Sequence, residues 1–304
     1  MQTILLTGSN GLLGQKIVYL LLQRKDIRLV ATSFGPNRLT EQKGYEYCSL
    51  DISDKTQVNE AFERFKPDVV INTAAMTNVD ACEAEKEKCV ALNVTAVEYI
   101  VQACEKYNTH LVHLSTDFIF DGQAGPYKEE DKPNPISYYG WSKLEAESII
   151  QKSNISWSIL RTIIIYGIVD NMSRSNVVLW AKVALEKGQA INVVDDQFRS
   201  PTLAEDLAEA CISASLKRSR GIFHISGPEI MSILELVQRV ASFYKLDASL
   251  IKPSKSDSLN QPAKRPPYTG FIIDKARREL DYKPHSFEEG LKLLQEQLSS
   301  RSAS

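Results

Sequence analysis

The sequence predicts an α/β fold: a Rossmann-type doubly wound parallel sheet with a smaller C-terminal α+β substrate region. Three features predict it. The strands read as short unbroken apolar runs, such as DVVIN at Asp68–Asn72 and LVHLS at Leu111–Ser115, the pattern of strands covered by helices on both faces. Helix-length segments alternate with those runs as far as Thr162, as parallel crossovers require. A glycine-rich turn, TGSNGLLG, leaves the first strand and opens the first helix.

Taken in order, Thr3–Thr7 reads as the first strand and Gly11–Gln23 as the helix after the turn. Arg28–Ser33 and Tyr45–Leu50 read as strands, then Asp54–Arg64 as a helix capped by Asp54. Asp68–Asn72 is the next strand, Ala84–Lys106 a long helix, His110–Ser115 a strand, Ser137–Gln151 a helix and Ser156–Thr162 a strand. Beyond residue 163 the rhythm loosens. Helices are predicted at Val177–Lys187, Leu203–Leu216, Ser232–Tyr244, Asp274–Leu280 and Phe287–Leu298, with strands at Ala190–Val194 and Gly221–Ser226. Lys252–Pro267 reads as a Pro- and polar-rich loop and Ser299–Ser304 as a mobile tail. The division expected is a dinucleotide-binding domain over 1–162, to which 203–228 returns, and a mainly substrate-binding region over 163–304. A ligand cleft is expected between them.

Composition narrows the class. The 304 residues carry 36 Lys and Arg against 38 Asp and Glu, and 43% are hydrophobic. That is a globular profile without the basic stripe of a nucleic-acid binder. No apolar run reaches the ~20 residues of a membrane span; the nearest, Ile159–Val169, is interrupted by Arg161. No basic segment precedes an apolar one at the start, so a cytoplasmic protein is expected, with neither nucleic acid nor membrane as partner. Cys48, Cys82, Cys89, Cys104 and Cys211 fall at no disulfide or zinc spacing. No His, Cys, Asp and Glu cluster has ligand spacing, and no metal is expected. His113 and His224, inside apolar strands, read as packed, hydrogen-bonded residues, and Lys128–Lys132 as a solvated loop.

In the glycine-rich turn, Gly8 permits the tight bend, Gly11 lets backbone N–H groups approach a pyrophosphate, and Gly14 lets helix pack on strand. The second strand ends without the acidic residue that would bond a ribose 2′-hydroxyl; Ser33 and Arg38 stand there instead. They favour a 2′-phosphate, and so NADPH over NADH, although Arg38 reads equally well as a solvated loop cation. Asp51-Ile52 follows the third strand, where the carboxylate can meet an adenine edge, since Asp54 is the better helix cap. Tyr139 and Lys143 form a YxxxK pair, stacked on one helix face at i, i+4. A neighbouring ammonium lowers a phenol's pKa. Ser115-Thr116-Asp117 ends an upstream strand at the edge where parallel sheets bind ligands, and Thr116 can donate to a carbonyl. A hydroxyl, a phenol and an ammonium behind a dinucleotide turn predict a hydride-transfer site.

At these residues the chain resembles the extended short-chain dehydrogenases/reductases, and within them the dTDP-4-dehydrorhamnose reductases. The matching segments include TGSNGLLG, LDISD, NTAAMTNVDACE, STDFIFDG, YYGWSKLEAE and VVDDQFRSPT, and run from residue 7 to residue 227. The resemblance implies that Gly8, Asn10, Gly11, Leu12 and Gly14 hold the pyrophosphate, Asp51 and Ile52 the adenine, while Ala74, Ala75 and Asn93 line the cofactor cleft. It implies that Lys143 bonds the nicotinamide ribose, and that Tyr139 protonates a C4 oxygen while Thr116 orients that carbonyl. Thr77, Val79 and Asp117 match sugar-side positions. The substrate it implies is a nucleotide-linked 4-keto-6-deoxy sugar, with a homodimer as one permitted assembly. Three positions depart from the pattern: Ile164 replaces a tryptophan, Phe118 a tyrosine, and Arg199 a glycine. Arg199 could clamp a diphosphate or form a surface ion pair. Similar proteins also serve as non-catalytic, NADP-binding regulatory subunits of methionine adenosyltransferase, which supplies the alternative function. Epimerases and dehydratases of the superfamily fit less well, because Phe118 stands where a dehydratase wants Glu.

Overall fold

A computed structural model describes residues 1–171, 175–259 and 261–302. Strand β1 (Gln2–Thr7) pairs in parallel with β2 (Ile27–Ser33) on one side and β4 (Val69–Asn72) on the other. Outward from β2 lies β3 (Glu46–Ser49); outward from β4 lie β5 (His110–Thr116), β6 (Trp157–Thr162) and a seventh strand, Gly221–Ile225. All seven are parallel. The order of strand addition reverses between β1 and β4, which opens a crevice at their carboxyl ends. Apolar side chains cover both faces, Ile4 and Leu6 packing toward one layer and Leu5 toward the other.

The local signals act as read. Helix α1 (Leu12–Leu21) follows the glycine turn, and α2 (Lys55–Phe65) is capped by Asp54, whose carboxylate accepts from the Thr56 and Gln57 N–H groups. Ser137 caps the Tyr138–Lys152 helix by accepting from Gly140 N. The predicted Ala84–Lys106 helix is instead three pieces, Lys86–Val90, a π-helical turn Ala91–Thr95 and Ala96–Tyr107, preceded by a short helix Val79–Ala84. The π turn adds a residue that apolar periodicity does not register. It contains Asn93, whose amide bonds the Met76 backbone N and O at 2.8 and 3.0 Å.

The second half holds the helices Val177–Glu186, Ala204–Lys217, Ile233–Tyr244, Asp274–Leu280 and Phe287–Ser302. Ile251–Ser254, overlapping the start of the predicted loop, is a strand paired with Ile191–Val194. Five two-residue strands, among them Phe198–Arg199 and Tyr268–Thr269, are too short to carry a sequence period. The last helix continues through the predicted tail to Ser302, because Arg301 bonds the Val169 carbonyl and Asp170 at 2.7 and 2.8 Å. The last two residues of that tail, Ala303 and Ser304, lie outside the described residues. Among the described residues no helix is long and apolar enough to cross a membrane.

Arg161, the residue that interrupts the longest apolar run, is buried in β6 and forks onto Glu147 of the Tyr138–Lys152 helix at 3.0 and 2.7 Å. Its third nitrogen donates to the Glu129 carbonyl, and the Glu129 carboxylate accepts from His224 N. The Lys128–Lys132 run therefore folds inward at Glu129 rather than staying solvated throughout. Removing one partner strands the other charge in the core. Glu147→Ala should cost about 3–5 kcal/mol of unfolding free energy in urea denaturation, whereas Glu85→Ala, which breaks an exposed pair with Lys88, should cost under about 1 kcal/mol.

Candidate active site

The first turn builds one end of the site. Gly8 has a φ of +72°, and a Cβ there would lie 2.7 Å from Thr73 Oγ1 and 2.8 Å from Ala74 N. The bend and the close passage past β4 both need glycine. Gly11 N donates to Gly8 O and closes the turn, and Gly11 lines the cleft. Among the described residues no side chain caps α1, and Leu12, Leu13 and Gly14, whose N–H groups lie in the unpaired first turn, line the cleft. Asn10 is not among the residues that line the clefts. Its amide donates to Pro36 O and accepts from Arg38 N, both at 2.9 Å, pinning one loop to the other.

A cleft of about 500 Å³ opens beside this turn, lined by Gly8, Gly11, Ser33, Asp51, Ile52, Ala74, Ala75 and Leu92. Asp51 accepts from Ser53 N and Ser53 Oγ, which fixes its carboxylate at the wall. Arg38 is exposed and stands outside that wall, while Phe34 and Lys88, which the sequence reading passed over, are part of it. Asn93 does not line the cleft. Its amide is buried behind Ala74–Thr77, bonding Met76 and Ser142 Oγ, and so shapes the wall from the rear.

The cleft continues into a second of about 260 Å³, through shared Gly8, Gly11, Ala74 and Ala75, and this contains Tyr139 and Lys143. A third, of about 400 Å³, shares Thr77, Ser115, Tyr139, Thr162 and Ile165 with the second. It adds Val79, Thr116, Asp117, Phe118, Ile164, Gln197, Arg199 and Arg265. One trough thus runs along the carboxyl ends of β1, β4, β5 and β6. The Tyr138–Lys152 helix reaches it because residue 140 is glycine: a Cβ there would lie 2.1 Å from the Phe118 carbonyl oxygen.

Within the trough, the sugar-side residues are braced against each other. The Thr116 hydroxyl donates to Asp117 Oδ1 at 3.1 Å and accepts from Phe118 N at 3.2 Å. Asp117 is buried, and its other oxygen takes the Thr269 hydroxyl and lies 3.7 Å from Arg199 Nε. Arg199 is neither at the surface nor an open clamp. It is 2% exposed, and its guanidinium donates to the carbonyls of Phe198, Pro266 and Pro267. Phe118 packs edge-on to Tyr139, with centroids 5.7 Å apart. Arg265, absent from the sequence reading, pairs with Asp80 at 2.7 Å and ties the Val79–Ala84 helix to the C-terminal segment. Its sequence signal, a cation in the Pro-rich stretch KRPP, is weak. The buried Ser115 hydroxyl has no hydrogen-bond partner among the described residues and lines both inner clefts.

Burial dominates the titration of the pair. Desolvation pushes the Tyr139 phenol well above its usual value; a Thr116 hydrogen bond lowers it less than burial raises it, and Asp117 adds to the rise. The phenol is held protonated, as a proton donor must be. Desolvation brings Lys143 down to about 8. Below pH 8 the folded chain bears the whole cost of a buried ammonium. From there to about 10.5 the folded chain has released a proton that the unfolded chain keeps, so stability rises with pH. Lys143→Met should remove that rise, about 3 kcal/mol, which urea denaturation from pH 7 to 10.5 compares directly.

Comparisons with known proteins agree with this geometry. A family model described as RmlD substrate binding domain matches residues 1–300. The spore coat polysaccharide biosynthesis protein SpsK of Bacillus subtilis is 31% identical, with 99% of each chain covered. Methionine adenosyltransferase 2 subunit beta of Xenopus tropicalis is 32% identical over 82% of this chain and 74% of its own. A dTDP-4-dehydrorhamnose reductase from Bacillus anthracis, solved in complex with NADP, superposes with a TM-score of 0.81 at 26% identity, covering 97% of this chain and 99% of that one. By its sequence over nearly its full length, and by the sheet and trough that sequence builds, the chain belongs to the RmlD substrate binding domain family.

Proposed function

We propose that the protein is an NADPH-dependent reductase of a nucleotide-linked 4-keto-6-deoxy sugar, with dTDP-4-dehydrorhamnose the first candidate and NADH a usable second cofactor. The observation that carries the reading is the continuous trough from the Gly8–Gly14 turn to Thr116, Tyr139 and Lys143. A dinucleotide fits its near end: the uncapped α1 N-terminus suits a pyrophosphate, Asp51 and Ile52 the adenine, and Ser33, with Lys88 in place of Arg38, the ribose phosphate. Bound there, the nicotinamide supplies a hydride. The residues of the chain do the rest. Lys143 holds the nicotinamide ribose and, while charged, offsets the burial that keeps the Tyr139 proton on. Tyr139 delivers that proton to the C4 oxygen. Thr116 orients the carbonyl once its hydroxyl turns from Asp117 to the sugar. Thr77, Val79, Phe118, Ile164 and Arg265 wall the sugar side, and the region over 163–304 supplies most of the specificity.

The reading has a direct test. Tyr139→Phe should lower NADPH oxidation with the keto sugar by about 10²–10⁴-fold while NADPH affinity, followed by its fluorescence, stays unchanged. Wild-type turnover in the variant would overturn it. The likeness to methionine adenosyltransferase 2 subunit beta, together with Ile164 and Phe118, favours one second reading, a non-catalytic NADP-binding regulatory subunit. It expects stable co-purification with a methionine adenosyltransferase and no turnover across a panel of keto sugars with either cofactor.

A further inference from the structure

Lys143 is 3% exposed, and an ammonium taken out of water must be given acceptors. The charged and titratable groups around it come from three elements. Glu147 stands one turn along the same helix, but its carboxylate is committed to Arg161 at 2.7 and 3.0 Å. Tyr139 stands one turn back. Cys89, from the Lys86–Val90 helix, has its thiol against Ser142 Oγ and the Asn93 amide at 3.4 and 3.5 Å. On β5, His113 presents Nε2 to Lys143 Nζ at 3.2 Å. The far side of that ring, Nδ1, lies 3.1 Å from Asn72 Nδ2, and Asn72 Oδ1 accepts from Thr7 Oγ1 at 2.6 Å. A buried polar line therefore joins the residue before the glycine turn, the end of β4 and the middle of β5 to the ammonium.

We propose that His113 is a positioning residue for this site: its Nε2 lone pair holds the Lys143 side chain in place and keeps it an ammonium. A neutral imidazole has one lone pair and one N–H. With Nε2 accepting from Nζ, the ring proton sits on Nδ1, and the Asn72 amide turns its oxygen to that proton and its NH2 to the Thr7 hydroxyl. The amide's two ends are alike in shape, so the turn costs no packing. Burial and the adjacent ammonium both hold the ring far below the usual histidine range, so the lone pair stays available at working pH. An aliphatic residue would fill this strand position without any desolvation cost; what it cannot do is accept a hydrogen bond. The inference rests on the reductase reading only for its consequence, since that reading needs Lys143 charged.

Two measurements test it without substrate. In the native chain, imidazole nitrogen NMR should show His113 neutral, with its proton on Nδ1 at pH 7; a proton on Nε2 overturns the proposal. In His113→Leu, the Lys143 ε-carbon titration should move down from its native midpoint near 8 by about one pH unit or more. His113→Gln, which can place an amide oxygen near the Nε2 position, should restore most of the shift. A midpoint that stays or rises in the Leu variant overturns the proposal, and the native tautomer decides alone if that variant does not fold. The alkaline limb of kcat with NADPH and keto sugar should follow the same shift. If the titration moves and the limb does not, the His113 contact stands and the reductase role of Lys143 falls.

Discussion

The inner face of the Tyr138–Lys152 helix carries two charges into the core, Lys143 and Glu147, and much of the architecture answers to them. A buried charge is tolerated only with a partner in good geometry. Glu147 is met by the Arg161 fork from β6, and the guanidinium's remaining nitrogen draws the Glu129 carbonyl inward. That in turn brings the Glu129 carboxylate to the seventh strand, where it accepts from His224 N. One ion pair thus fastens a helix, two strands and a loop to one another. Lys143, one turn nearer the cleft, has no carboxylate of its own among the described residues and rests on a histidine ring.

That inequality separates structure from chemistry along a single helix face. The paired charge is fixed, and removing either member leaves the other stranded. The charge bonded to a neutral ring lies close enough to neutrality for its environment to decide its state. Tyr139, another turn along, is desolvated in the opposite sense and keeps its proton. Acid, ammonium and structural carboxylate therefore share one rigid scaffold, which Gly140 lets approach the Thr116–Phe118 segment closely. Here the site's precision comes from the helix and the strand ends, not from mobile loops.

Much of this was legible in the residues. The strand–helix alternation, the Asp54 cap, the glycine turn and the YxxxK stacking all depend on neighbours within a few positions, and local chemistry determines them. The errors share a cause. Motif position places Asn10 and Asn93 at the ligand, yet their polar atoms hold backbone 26 and 17 residues away; Arg199 lines the inner cleft, but its guanidinium is spent on a carbonyl 67 residues away. Two-residue strands and a one-residue π insertion leave no periodic trace. Arg265, in a Pro-rich stretch, reaches the site only because Asp80 receives it.

The sequence by itself determined the sheet, the order of its helices and the residue types available at its carboxyl edge, because apolar period, caps and glycine conformations act over a few residues. Only the tertiary structure decided which polar groups face the trough and which brace it, and what charge state each holds. That division follows from burial. A side chain's pKa and hydrogen-bond partners are set by what the rest of the chain places around it, and His113 beside Lys143 arises from strand and helix positions 30 residues apart.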